Sequence, residues 1–398
     1  MISTDVVVAG GGISGLLIAS ALASKFSVVL LEQRDSIPCN KYWLTDAETV
    51  RKNPHLKACV DSYYESMDFV SYDGLTAAVK GDYSLWDTNK LLGRLEQDVR
   101  EAGAEVLTGH TLYSFSQETD AIIVRANSQT IRARLLIDCM GFGSPIVGAR
   151  SVATIKGYYI VHGCEVQLKD HVRPVGLDNV VINRHPAFFE LFPTSKGTAH
   201  AALIFPSHHY KPARSISSEL DFILRKSHYS KLIAHEPSEH RKTYFGIVPV
   251  GRLKTAALDR IVFFGEAGQA NPAATATALT RMLLVYEELG ESIGQCLNQN
   301  TLKKRHLTRS MPPYMSRMNR VFQEVLFDSL LAFNSDDFRR LVLELGNYPP
   351  DVVNDMIFAK FRFRKARIAR VATHALRPGS VLGRHILKSF ARFLRSTH

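Results

Sequence analysis

The sequence predicts an α/β protein: a Rossmann-type domain on a parallel sheet, an antiparallel sheet inserted into it, and a helical C-terminal region. Three observations predict it. A β-branched run, Val6 to Val8, passes through Gly10-Gly11-Gly12-x-x-Gly15 into a helical pattern and on to a second strand that ends in Glu32. Two later apolar runs, "RARLLID" and "LDRIVFF", each stop at a turn, Asp138-x-x-Gly141 and Gly265-Glu266. Residues 151–249 fall into short alternating stretches, and beyond residue 299 the apolar residues recur three and four apart.

The bulk numbers set the frame. A chain of 398 residues is too long for one compact layer and suggests two domains, or one with a large insertion. No uninterrupted apolar run reaches the ~18 residues of a spanning helix. The apolar N-terminus has no basic leader and is broken by glycines, so it reads as a folded element. Five scattered cysteines without a C-x-x-C fit a reducing compartment. The formal charge is +11, and residues 358–398 hold eleven Lys or Arg and no acid, so a neutral body carries a basic tail.

The N-terminal glycines come first. Strand, glycine turn, helix, strand and terminal acid form a dinucleotide-binding fingerprint in its confirming context. Gly10 permits the tight turn, Gly12 lets a pyrophosphate approach the backbone, and Gly15 allows the helix to lie close to the sheet. The helix N-terminus, with Ser14 in its first turn, presents unpaired N–H groups to a diphosphate. Glu32 can accept from the adenosine ribose and disfavours a 2′-phosphate, with Gln33 and Arg34 beside it.

The two later turns decide between dinucleotides. A chain that returns twice to its cofactor domain, first at D-x-x-G and then at an acid after glycine, matches FAD proteins of the glutathione-reductase and p-hydroxybenzoate-hydroxylase type. Asp138, Gly141, Gly265 and Glu266 are then cofactor residues. Asn271, Pro272 and Ala273, with Ala274 and Thr275, would start a helix whose N-terminus meets the flavin's pyrimidine edge. The expected division is 1–60, 82–150 and 250–298 for the FAD domain, 61–81 and 151–249 for the substrate sheet, and 299–398 for C-terminal helices.

With these motifs in place, the chain resembles the superfamily of lycopene cyclases, geranylgeranyl reductases and aromatic hydroxylases, most closely its lycopene-cyclase branch. "DYSLWDTNKLLGRLEQDVREAGAEVL" (82–107), "LIDCMGFGSPIV", "GYYIVHGCEVQ" (157–167) and "FFELFP" (188–193) carry the likeness. Lycopene cyclases hold an acidic F-L-E-E-T motif on the next strand, whose glutamate protonates the polyene. Here that strand reads "AHAALIF" (199–205) and has no carboxylate; Glu190 and Glu165, on neighbouring strands, do not match the motif.

The resemblance implies a flavin oxidoreductase, monooxygenase- or reductase-type, acting on a bulky apolar substrate of isoprenoid or polyketide kind. It leaves open a cyclase or isomerase using reduced FAD, and a lipid or prenyl carrier on the same fold. With one fingerprint present, a nicotinamide donor or redox partner would bind transiently. The last helix places Arg384, Lys388, Arg392 and Arg395 on one face and Leu382, Ile386, Phe390 and Phe393 on the other, a pattern suited to an anionic membrane surface. The expected place is the cytoplasm, peripheral on the inner face of a membrane. No nucleic-acid reader accompanies the charge. His208 and His209, and the group His235, Glu236, Glu239 and His240, lack metal-site spacing and read as solvated loops.

Overall fold

The computed structural model of the chain describes residues 1–37, 41–182, 185–234, 242–272, 275–311, 325–358 and 373–396, without the side chains of 213, 214, 252, 390 and 392–396. Two eight-stranded sheets organise it.

The parallel core of the first sheet has the spatial order Ile261–Phe263, Gln129–Asp138, Ile2–Ala9, Val28–Leu31, Glu105–Leu107. Val8 stands between Leu30 and Ile137 in register. Val6, Val7 and Val8 are all fully buried, because both faces of a parallel sheet are covered and its strands read as continuous apolar runs. Helix Ile13–Ala23 packs against helix Ala278–Asn298, so the chain's second return to this sheet also closes over the first crossover.

The second sheet runs Thr243–Leu253, Ala153–Gln167, Thr198–Ser207, His185–Pro193, Val175–Ile182, Val60–Val70, Thr76–Trp86, Trp43–Asp46. It takes in more chain than 61–81 and 151–249: Trp43–Asp46 joins it, and two of its strands reach Trp86 and Leu253. It is also mixed, since Val175–Ile182 and Val60–Val70 pair in parallel. That junction joins two sequence-remote segments, where no hairpin imposes the antiparallel direction.

Alternation along His185–Pro193 separates two environments. Ala187, Phe189 and Leu191 pack with Leu220, Ile223 and Leu224 of helix Ser217–Lys226. Phe188, Glu190 and Phe192 face the other way, into a cavity roofed by the C-terminal helices. Phe338, on helix Ser335–Gly346, meets the Phe188 ring edge-on at 5.2 Å.

Asn347 caps helix Ser335–Gly346, and Gly346 stays inside it, where a β-carbon would lie 2.9 Å from Ala77. The amphipathic helix forms over Val381–Ser396, and the described part of its apolar face turns inward. Val381 and Ile386 are buried, and Leu382 packs on the cluster holding Phe327, Phe333 and Phe338. An apolar surface already inside the body competes with lipid for the same side chains. Asp337 accepts from Arg384 at 2.8 Å and lies 3.0 Å from the His385 ring nitrogen, which fixes the docking. The side chains of Phe390, Arg392, Phe393 and Arg395 lie outside the described residues. Among the described residues no helix is long and apolar enough to cross a membrane.

Candidate functional site

A single cavity of about 1190 Å³ runs from the glycine turn, between the two sheets, to the C-terminal helices. Its fingerprint end is set by backbone contact. Gly10 has φ +105°, and a β-carbon there would lie 2.5 Å from the Cys139 carbonyl oxygen. One on Gly15 would lie 1.8 Å from the Gly10 oxygen. One on Gly12 would meet nothing within 4 Å, because Gly12 opens on the cavity. Gly12 is also the N-cap of helix Ile13–Ala23 and supplies no side-chain cap, so the first-turn N–H groups remain available to an anion.

Glu32 sits at the same end, buried. Its Oε2 accepts from the Gly11 N–H at 2.9 Å, and its Oε1 accepts from Arg34 N at 3.0 Å and Arg34 Nε at 2.8 Å. Burial alone would raise its pKa, but these bonds together hold it below the usual carboxylate range, so Glu32 is ionised at neutral pH.

Asp138 plays a different part. It is fully buried, Oδ1 accepts from Met140 N at 3.0 Å, and Oδ2 accepts from the Ser144 hydroxyl. It closes its own turn and does not line the cavity. Burial pushes its carboxyl up to about 6. A carboxyl raised in the folded state stabilises below its unfolded value, and that contribution is lost as pH rises through about 6. Asp138→Asn should therefore gain stability relative to wild type between pH 5 and pH 8, by ~1–3 kcal/mol in paired denaturant titrations. A difference that does not change with pH would show Asp138 to be ionised throughout.

The third turn closes onto the first. Gly265 has φ +68°, and a β-carbon would fall 2.4 Å from Ser14 Oγ. Glu266 turns back toward the second turn, its Oε2 3.4 Å from where a β-carbon of Gly141 would stand. Asn271 is 8% exposed, lines the cavity, and its Nδ2 has no partner among the described residues. The expected helix start at 271–275 is corrected: the helix begins at Ala278 with Thr277 as N-cap. Gln269 and Ala276 have φ +53° and +54°, left-handed values at which a right-handed helix cannot run.

Of the residues read from the sequence, Gly10, Gly12, Ser14, Glu32, Gln33, Arg34, Gly141, Glu266 and Asn271 line the one cavity. Gly15, Asp138, Gly265 and Pro272 lie behind it and shape its backbone. Ala273 lies outside the described residues, as do His235, Glu236, Glu239 and His240. His208 Nδ1 lies 3.2 Å from the Lys156 carbonyl oxygen.

The far end was not read from motifs. Met67, Phe69, Phe188, Phe192, Ile204 and Phe338 form an apolar wall, interrupted by Glu190 beside Tyr42 and Tyr244. The signal for Glu190 was the period-two pattern of 188–192, which puts a carboxyl between two phenylalanines on one strand face.

Solved structures share this architecture. A geranylgeranyl bacteriochlorophyll reductase-like protein from Thermoplasma acidophilum superposes with TM-score 0.74 at 14% identity, over 98% of this chain and 99% of that one. The p-nitrophenol 4-monooxygenase PnpA from Pseudomonas putida DLL-E4 gives 0.62 at 14%, over 98% of each. Halogenase PltM, solved with phloroglucinol and FAD, gives 0.63 at 14%, over 95% of this chain and 88% of that one. The fold is thus that of the flavoprotein oxidoreductases. Within that class the chain belongs to the family described as Lycopene cyclase protein, which matches residues 5–355. No curated protein matches the sequence.

The residues present fit a flavin dinucleotide. The uncapped helix end suits a diphosphate, the ionised Glu32 suits ribose hydroxyls, and the unpartnered Asn271 amide awaits an acceptor. The cavity also exceeds the ~300–1,000 Å³ usual for one small ligand, which leaves room for a second molecule.

Proposed function

We propose that the protein is an FAD-dependent oxidoreductase acting on a bulky apolar substrate, isoprenoid- or polyketide-like, in a biosynthetic pathway. The observation that carries this reading is the continuity of the cavity, from Gly12 and Glu32 at one end to Phe338 and Leu382 at the other. Bound FAD would supply hydride or oxygen-activating chemistry. The chain's part is to hold it and to keep the substrate dry. Gly12 and the following N–H groups bind the diphosphate, Glu32 the adenosine ribose, and Asn271 and Glu266 the flavin half. The aromatic wall excludes water, and electrons come from a nicotinamide dinucleotide that binds transiently.

A second reading, ring closure or isomerisation on reduced FAD without net redox, is favoured by the family match. It ranks behind the first because strand Thr198–Ser207 carries no carboxylate.

The purified protein should hold FAD non-covalently, near one per chain, and release it on acid precipitation. Glu266→Ala should weaken binding by about ten- to a hundredfold, the loss of one charge-assisted hydrogen bond, whereas Glu266→Asp should retain it. Flavin titration reads both, and equal affinity in all three proteins would make Glu266 a loop acid. Anaerobic reduction, then incubation with polyenes with and without oxygen, separates the two readings. Substrate-dependent flavin reoxidation supports the first, and product without reoxidation supports the second.

A further inference from the structure

Glu190 is a carboxyl group set in an apolar wall. It stands between Phe188 and Phe192 on the cavity face of its strand, directly opposite Ala202 on the next one. The Tyr42 hydroxyl donates to Glu190 Oε2 at 2.5 Å. Tyr42 is itself held, stacked on His200 at 5.2 Å and meeting Phe192 and Tyr244 edge-on at 5.4 and 5.9 Å. Among the described residues Glu190 has no other hydrogen bond and no ion pair.

A carboxylate so placed would lack a counter-ion. Among the described residues the ionisable groups around it are Tyr42, Tyr64, Tyr244 and His200, with Glu165 one strand further on. Burial raises the three tyrosines and lowers His200, so none of them is cationic at neutral pH. Glu165 accepts from the Thr198 hydroxyl at 2.8 Å. Burial pushes Glu190 up to about 7, and the Tyr42 bond offsets only part of that. Below that value the carboxyl keeps its proton. Tyr42 occupies one oxygen, and among the described residues the other oxygen of this cavity-lining side chain has no hydrogen-bond partner. A pure hydrocarbon would leave that donor unpaired.

We infer that the cavity seats an apolar ligand bearing one uncharged oxygen acceptor, a carbonyl or an ether, hydrogen-bonded by the carboxyl of Glu190, with Tyr42 as its positioning residue. This rests on the proposed reading of the cavity as a substrate site.

The test compares two probes on FAD-loaded protein by calorimetry: farnesylacetone, an acyclic isoprenoid ketone, and β-farnesene, a hydrocarbon of related shape. At about pH 6 wild type should prefer the ketone about tenfold, the worth of one buried hydrogen bond. At about pH 9 an ionised Glu190 no longer donates and the preference should vanish. Glu190→Gln keeps a donor but cannot titrate, so its preference should hold at both pH values. Glu190→Leu should lose the preference at both while still binding the hydrocarbon. Tyr42→Phe removes the bond that favours the charged form, so the pH at which the preference is lost should rise.

A preference that ignores pH in wild type, an equal loss of both probes in Glu190→Leu, or binding of neither probe at pH 6 would overturn the inference. Protein that takes up no FAD would overturn the functional reading instead. The ratio of the two probes is measured on the same preparation and reads Glu190 independently of the flavin.

Discussion

Alanine at Gly15 should give a chain that cannot assemble its flavin site. The added carbon would lie 1.8 Å from the Gly10 carbonyl oxygen, in a segment where Val8, Leu16 and Leu17 are fully buried. Neither the helix nor the strand can withdraw without opening the core, so the cost should exceed ~4 kcal/mol, among the largest for a single methyl group. Gly12→Ala is the control. Its carbon meets nothing within 4 Å, and Gly12 has an ordinary φ of −72°, so the variant should melt within a degree or two of wild type. It should nevertheless bind flavin more weakly, because the methyl projects into the cavity. Thermal melts and flavin titrations of the two variants separate fold from site. A Gly15→Ala protein with native stability and affinity would show that the turn is looser than its geometry.

Glu32→Ala should reduce FAD affinity by about a hundred- to a thousandfold, because buried donors lose a charged acceptor in addition to the ribose contact. The Gly11 N–H would be left facing the vacated space, and Arg34 would lose its ion pair. Glu32→Gln keeps one acceptor oxygen and should fall between. The pH dependence has a definite sign. A carboxyl lowered in the folded state stabilises above its unfolded value and loses that contribution as pH falls through the folded one. Wild type should therefore lose stability faster than Glu32→Gln as pH drops below about 4.5, the value of the free group. Parallel acid-denaturation curves for the two proteins would place Glu32 outside this account.

The flavin half of the molecule was legible in the sequence because its chemistry is backbone chemistry. Gly10, Gly15 and Gly265 mark positions where a carbonyl or hydroxyl oxygen lies within 2.5 Å of a would-be β-carbon, and no other residue type fits there. Glu32 was legible from its place at a strand end. The substrate half was not, because Tyr42, Glu190 and Phe338 lie far apart in sequence and meet only where the C-terminal helices cover the second sheet. Periodicity revealed the last helix but not its partner: an apolar face reads the same whether it meets lipid or Phe338. The helix start after Glu266 was misplaced because Gln269 and Ala276 adopt left-handed backbone with no glycine to announce it.

The interleaving of the two sheets along the chain governs how the protein must be made. The first sheet draws strands from residues 2–31, 105–138 and 257–263, and the second from 43–46, 60–86 and 153–253. The Leu136–Asp138 end of strand Gln129–Asp138 keeps an unpaired edge until Ile261–Phe263 arrives, and Ala153–Gln167 keeps one until Thr243–Leu253 does. Contact order is therefore high, and neither half can mature on the ribosome ahead of the other. Nascent chains that end between residues 167 and 243 carry both open β edges at once, the condition that invites edge-to-edge aggregation. Recombinant yield should respond to slower synthesis and chaperone supply, and dissection into separate flavin and substrate fragments should give insoluble protein from both.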